Sequence, residues 1–143
     1  MMTVPDFRSL DGRVVLITGG AGHIGATITG AFLATGCSVM TADVSELEPW
    51  PSSDPHRFQH VLVDLADSGA AADLVDKTVD RFGRLDVVVT TASWMGTDTT
   101  LGWNVPFAEQ DEDLWPAVLQ VGVTSIFSLL KRAAPHLAAN GNG

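Results

Sequence analysis

RVVLITGGAGHIGATITGAFLATGCSVMTAD, residues 13–43, is the stretch that decides the fold. Its first six residues form an unbroken apolar run rich in β-branched side chains, which suits a strand covered on both faces, as in a parallel sheet. Glycines follow at once. Ile24, Ile28, Ala31 and Phe32 then recur at helical spacing, and Gly36 stands where a helix C-cap belongs. Residues 38–42 make a second short strand, with Asp43 at its end. Strand, tight turn, helix and strand compose a βαβ unit, and right-handed crossovers make its strands parallel.

Outward from this unit the alternation continues. Residues 46–55 hold Pro49, Pro51 and Pro55 without periodicity and read as a loop. Residues 58–63 read as a third strand leading to Asp64. Asp67 or Ser68 can cap the next helix, with Leu74, Val75, Val79 and Phe82 as its buried stripe and Gly83 closing it. Residues 85–89 supply a fourth strand. A loop carrying Gly96, Gly102 and Pro106 leads to a long helix over residues 113–139, with Pro116 tolerated in its first turn and Pro135 expected to kink or end it. Residues 140–143 read as a turn. The expectation is an α/β, doubly wound parallel sheet of the Rossmann type in the order 3-2-1-4 with flanking helices. It is a single domain over residues 1–143, incomplete beyond strand 4, where such sheets carry further strands.

Composition narrows the function. Hydrophobic residues make up 45% of the 143 and charged residues 17%, the balance of a globular chain. The net charge of −9, with only 8 Lys and Arg, argues against nucleic acid, whose binding needs clustered cations, and against anionic membrane surfaces. No apolar run reaches membrane-spanning length, and residues 1–10 carry Asp6 and Arg8 without the apolar core of a signal peptide, so a cytoplasmic protein is expected. Cys37 is the only cysteine and reads as a small core residue. His23, His56, His60 and His136 show no metal-ligand spacing.

A small anionic ligand survives these exclusions. Residues 18–25, TGGAGHIG, lie between the first strand and the first helix. Glycine there lets the chain turn sharply, lets backbone approach a pyrophosphate with no Cβ in the way, and lets helix pack closely on strand. The helix start then offers free N–H groups and its positive dipole end to phosphates. The strand before, the helix after and an acidic residue about 20 positions on make this a dinucleotide signature rather than a bare glycine turn. That acid is Asp43. A carboxylate there accepts hydrogen bonds from the ribose hydroxyls and repels a 2′-phosphate, so it favours NAD over NADP.

With these residues in place, the sequence resembles the short-chain dehydrogenase/reductase family over nearly its whole length. Thr18, Gly19, Gly22 and Gly25 match one spacing of the family's opening motif, and the other is matched with His23 in place of its middle glycine. Asp64-Leu65 looks like the family's contact to the adenine amino group. RFGRLDVVV, followed by Thr90-Thr91-Ala92-Ser93, looks like the fourth strand and its loop. WPAVLQVGVTSIFSLLKRAAPHL looks like the helix carrying the family's asparagine. The resemblance implies a cofactor site built from Gly19, Gly22, His23, Ile24, Gly25, Asp43, Asp64, Leu65, Thr91 and Ala92. It implies hydride transfer between a nicotinamide and an alcohol or carbonyl substrate. It also implies a homo-oligomer, because the last helix pairs with its mate and its apolar face (Leu114, Val118, Val121 and Leu129) then needs cover.

The departures are specific. Of the family's Asn-Asn-Ala-Gly only Ala92 is kept, although threonines can still hydrogen-bond. Gly122 stands at the helix asparagine, and a mid-helix glycine costs about 1 kcal/mol relative to alanine. The family's Ser and Tyr-x-x-x-Lys would follow on the next strand and helix. This sequence contains no Tyr and ends at Gly143, so it reads as the N-terminal portion, truncated before those residues, with no catalytic residue of its own to name. Asp111, Glu112 and Asp113 read as a solvated helix start. Trp94 and Trp103 either line a substrate cleft or pack the loop down, and Ser93 lacks a base to make it a nucleophile. Three functions fit: an oxidoreductase of this family, a non-catalytic nucleotide-binding module, and an extended-type enzyme of nucleotide sugars, against which the long helix counts.

Overall fold

The computed structural model describes residues 10–47, 54–94 and 105–139. Four strands, β1 (Val14–Thr18), β2 (Ser38–Asp43), β3 (Phe58–Leu62) and β4 (Val87–Thr90), form one parallel sheet in the order β3-β2-β1-β4. This is the expected order, with β4 at one edge. Helices α1 (His23–Ala34) and α2 (Ala70–Phe82) are joined by α3 (Trp115–Leu119) and α4 (Ser125–Ala139).

The continuous apolar strands are explained by cover on both faces. Leu16, Met40 and Ala42 point to one side, where Leu74, Val75, Val121, Leu129 and Ala133 close the larger core. Val15, Ile17 and Val39 point to the other, onto Ile28, Phe32 and Leu33 of α1. Cys37 is buried there, its Sγ 3.1 Å from the Leu10 carbonyl, and burial pushes the thiol above its ordinary range. Both helix ends expected at glycine are found: Gly36 and Gly83 take the left-handed conformation, with φ of 88° and 79°.

The amino ends of β1 and β4 are pinned by one carboxylate. Asp86, its side chain 3% exposed, accepts from Arg13 at 2.9 Å, from Arg84 Nε at 2.7 Å and from the Val14 amide at 2.9 Å. Burial opposes its charge, but Arg84, the Val14 amide and Arg13 outweigh burial and hold its pKa at about 2.

Several expectations are corrected. Neither Asp67 nor Ser68 caps α2. Its N-cap is Gly69 in the left-handed region (φ 87°), which glycine adopts without strain, and the turn before it holds the Ala66 amide on the Asp64 carboxylate. The long helix is not uniform. A 3-10 turn at Glu112–Leu114 leads into α3, a π-helical segment follows at Gln120–Thr124, and α4 begins at Ser125. Pro135 does not end α4, which continues to Ala139; the proline is exposed, so the carbonyl it leaves unpaired can meet water. Val121 and Leu129, expected on an outward face, are buried in the core. The outward apolar residues are instead Trp115, Leu119, Val123, Phe127 and Leu130.

By length and composition Glu112–Ala139 is also long and apolar enough to cross a membrane. This corrects the expectation that no apolar run is long enough; polar residues interrupt the stretch without bringing its mean hydropathy below that of a spanning helix. Its buried residues Val121, Leu129 and Ala133 join the larger core, and on the surface Arg132 pairs with Asp76 of α2 at 2.7 Å. The expected loop at residues 46–55 falls partly, and Gly96, Gly102, Trp103 and the turn at residues 140–143 fall wholly, outside the described residues.

Candidate functional site

The carboxyl ends of the four strands converge on a cavity of about 560 Å³. Crevices at that end of an open parallel sheet are where such folds bind ligands. β1 ends in the glycine loop, which the Ala42 carbonyl anchors by accepting from Gly19 N at 2.8 Å and Gly20 N at 3.2 Å.

Each glycine has its own reason. Gly19 has a φ of 74°, and a Cβ there would lie 2.5 Å from Ala92 N and 2.6 Å from the Thr91 carbonyl carbon. Gly25 is buried, and a Cβ on it would run into the Gly19 carbonyl. These two are required by the fold. Gly22 differs: it is the exposed N-cap of α1 in extended backbone, and the sole atom near its hypothetical Cβ is the Gly19 oxygen, at an ordinary 3.4 Å. It lines the cavity. No side chain caps α1 and no acid sits in its first turn; the Gly22 N–H donates to the Gly19 carbonyl at 3.2 Å, and the helix N–H groups that follow it are left for a ligand.

Asp43, at the end of β2, spans two loops. Its Oδ2 accepts from the Ala21 amide and its Oδ1 from the Ser45 amide, each at 3.0 Å. Each oxygen keeps a further lone pair, and the residue lines the cavity. Asp64 lies beyond β3 on an exposed turn, and Leu65 after it is buried in the core. Beyond β4, the Thr91 hydroxyl donates to the Thr18 carbonyl at 2.7 Å and reaches Gly19 O at 3.3 Å, so a threonine braces the strand ends where the resemblance places asparagine.

Of the ten residues expected at a cofactor site, Gly19, Gly22, Asp43, Asp64, Leu65, Thr91 and Ala92 line this one cavity. His23, Ile24 and Gly25 do not. His23 and Ile24 are exposed in the first turn of α1, and His23 opens the helix. Val44, Ser45, Val63 and Val121 also line the cavity and were not anticipated; Val121 comes from the π-helical segment, about 100 positions from the glycine loop. Trp94 both lines the cavity and packs against the larger core. Asp111 caps the 3-10 turn, accepting from the Asp113 amide at 3.0 Å, as a solvated helix start should. Among the described residues no His, Cys, Asp and Glu cluster could hold a metal ion.

The residues fit a dinucleotide on two observations. A helix start without cap or Cβ faces the cavity, and a carboxylate with free lone pairs stands on the neighbouring strand. A doubly wound parallel sheet with this loop is a Rossmann-type nucleotide-binding fold. The sequence profile of the short chain dehydrogenase family matches residues 13–143, and the chain belongs to that family.

Among curated proteins it is similar to 3beta-hydroxysteroid dehydrogenase 2 of Eggerthella lenta, 31% identical over 94% of this chain and 51% of that protein. It is also similar to the 3-oxoacyl-[acyl-carrier-protein] reductase of Thermotoga maritima, 30% identical over 94% of this chain and 54% of that protein. The chain thus spans about half the length of these relatives. Among solved structures, a short-chain dehydrogenase/reductase (glucose/ribitol dehydrogenase) of Brucella melitensis superposes with a TM-score of 0.72 at 25% identity, covering 89% of this chain and 51% of that one. A short chain dehydrogenase of Leptospira borgpetersenii, solved with bound NAD+, gives 0.72 at 20% identity, covering 99% and 53%.

Proposed function

We propose that this chain is the dinucleotide-binding portion of an NAD(P)-dependent oxidoreductase and that it favours NAD. The observation that carries the reading is the uncapped start of α1 at Gly22, opening on a cavity that Asp43 borders. Backbone N–H groups of residues 23 and 24 would hold the pyrophosphate, with the helix dipole behind them. Asp43 would accept from the adenosine ribose hydroxyls and exclude a 2′-phosphate by charge. Asp64 and Leu65 would border the adenine, and Thr91 with Ala92 would support the nicotinamide end. When bound, the nicotinamide supplies hydride transfer to or from an alcohol or carbonyl carbon. The relatives' names, a hydroxysteroid dehydrogenase and an oxoacyl reductase, fit that substrate class. A cytoplasmic setting suits the single free cysteine.

Asp43→Ala tests the reading. Titration of NAD and NADP should show NAD binding weakened about tenfold and the preference for NAD lost. An unchanged ratio of the two affinities would remove the ribose assignment.

A second reading, a nucleotide-binding module without chemistry, is favoured by Gly122. It is exposed with nothing within 4 Å of a Cβ, so no side chain reaches out where the resemblance places asparagine. Turnover of an alcohol or ketone by the protein as its host produces it separates the two. Either form is proposed to self-associate through Trp115, Leu119, Val123, Phe127 and Leu130. A monomeric elution volume in size-exclusion chromatography would count against this.

A further inference from the structure

The Asp43 carboxylate is held from more sides than its own two hydrogen bonds. Its Oδ1 bond runs to the Ser45 amide, one residue beyond exposed Val44, where the chain has already left β2. The other end of that residue is gripped by a different strand: His60 Nε2 lies 3.0 Å from the Ser45 carbonyl. His60 sits on β3 directly beside Thr41 of β2 in the parallel register, and its Nδ1 lies 2.9 Å from the Thr41 hydroxyl. Thr41 is fully buried and packs under the glycine loop, where a Cβ on Gly20 would lie 2.5 Å from its own Cβ.

The contacts close on themselves. They run from the glycine loop at Ala21 to Asp43, to Ser45, to His60, to Thr41 and back beneath Gly20. The chemistry also sets which ring nitrogen must carry a proton. A carbonyl only accepts, so Nε2 carries the proton, and in the neutral imidazole Nδ1 then accepts from the Thr41 hydroxyl.

We propose that His60 is a positioning residue for cofactor selection: it fixes the Val44–Ser45 segment, and through it the orientation in which Asp43 meets an adenosine ribose. This rests on the NAD reading above. Without the imidazole, the Ser45 peptide can swing outward and carry the Asp43 carboxylate with it. The hydrogen-bond acceptor for the ribose hydroxyls is then misplaced, and the negative charge that repels a 2′-phosphate is displaced. Loss of the clamp therefore weakens NAD while sparing NADP. General loosening of the sheet would weaken both alike.

The test is titration of NAD and of NADP, separately, into the wild-type chain, His60→Ala and His60→Gln. In His60→Ala the NAD dissociation constant should rise about five- to tenfold while that of NADP stays within about twofold. His60→Gln, whose amide nitrogen can reach the Ser45 carbonyl, should return to within about twofold of wild type. Equal weakening of both cofactors, or no change in their ratio, overturns the role of His60 and leaves the NAD reading standing. A wild-type chain that binds neither cofactor, or prefers NADP, overturns that reading and the inference together. The imidazole 15N spectrum of the wild type gives an answer that needs no variant to fold. A proton on Nε2 is expected, and protonation at Nδ1 alone overturns the clamp.

Discussion

Two carboxylates at opposite ends of the same sheet show how one fold separates stability from binding. Asp86, at the amino ends of β1 and β4, accepts from two guanidiniums and a backbone amide and is almost wholly buried. Asp43, at the carboxyl end of β2, accepts from two backbone amides, has no cation within ion-pair distance among the described residues, and borders a cavity. The first has its lone pairs occupied and can do little but hold strands together. The second is oriented yet unsaturated, which a binding group must be. The same division runs through the glycines: Gly19 and Gly25 are demanded by the protein's own backbone, whereas Gly22 leaves room the protein does not use.

The sharpest way to break this division is at the glycines. Gly19→Ala would place a Cβ against the backbone of residues 91 and 92 at a positive φ, and should destabilise by about 3–5 kcal/mol in urea unfolding. Gly22→Ala should change stability by less than about 1 kcal/mol but, on the proposed reading, weaken dinucleotide binding at least about tenfold, because a Cβ there would crowd the proposed pyrophosphate position. If both variants lose stability equally, Gly22 is a structural glycine and the division is false.

At the other end, Asp86→Asn should cost about 2 kcal/mol at neutral pH and leave the NAD to NADP preference intact. The pH dependence has a definite sign. The folded pKa of about 2 lies below the ordinary carboxylate value, so the stabilisation is fully present above about pH 4. It is lost as pH falls from about 4 to about 2. Over that window the wild type should lose about 2 kcal/mol more than Asp86→Asn, measured by urea unfolding at each pH. Parallel curves for the two proteins would show that the pinning carboxylate is not Asp86.

The functional end was the more legible of the two. Local signals, the closely spaced glycines and Asp43 at a strand end, pointed to Gly19, Gly22 and Asp43; the alternation of strands and helices carried the sheet order, and the family resemblance added Asp64, Leu65, Thr91 and Ala92. What escaped depends on partners distant in sequence. Asp86 lies 73 positions from Arg13 and bonds it only once β1 and β4 are side by side. His60 showed no metal-ligand spacing and gained a role only when the register set it beside Thr41. Which face of the last helix turns inward was misjudged at Val121 and Leu129, because apolar residues surround that helix and the π-helical segment shifts its phase. The start of α2 escaped because a left-handed glycine, Gly69, stands where a side-chain cap was expected.

The smallest expected effect concerns a third kind of glycine. Gly122 is neither demanded by a close approach nor turned to the cavity wall: it is exposed, lies in the π-helical segment between two right-handed helical turns, and has nothing within 4 Å of a Cβ. In such a place glycine contributes only its conformational freedom, which the unfolded chain retains and the folded chain loses. Gly122→Ala should therefore raise stability, by about 0.5–1 kcal/mol, without altering cofactor affinity. Urea midpoints and an NAD titration on the same variant check both parts. A loss of stability would mean that the π-helical segment itself requires glycine at this position. Because Val121 next to it lines the cavity, a weakened NAD affinity would then tie that segment to the binding end of the molecule.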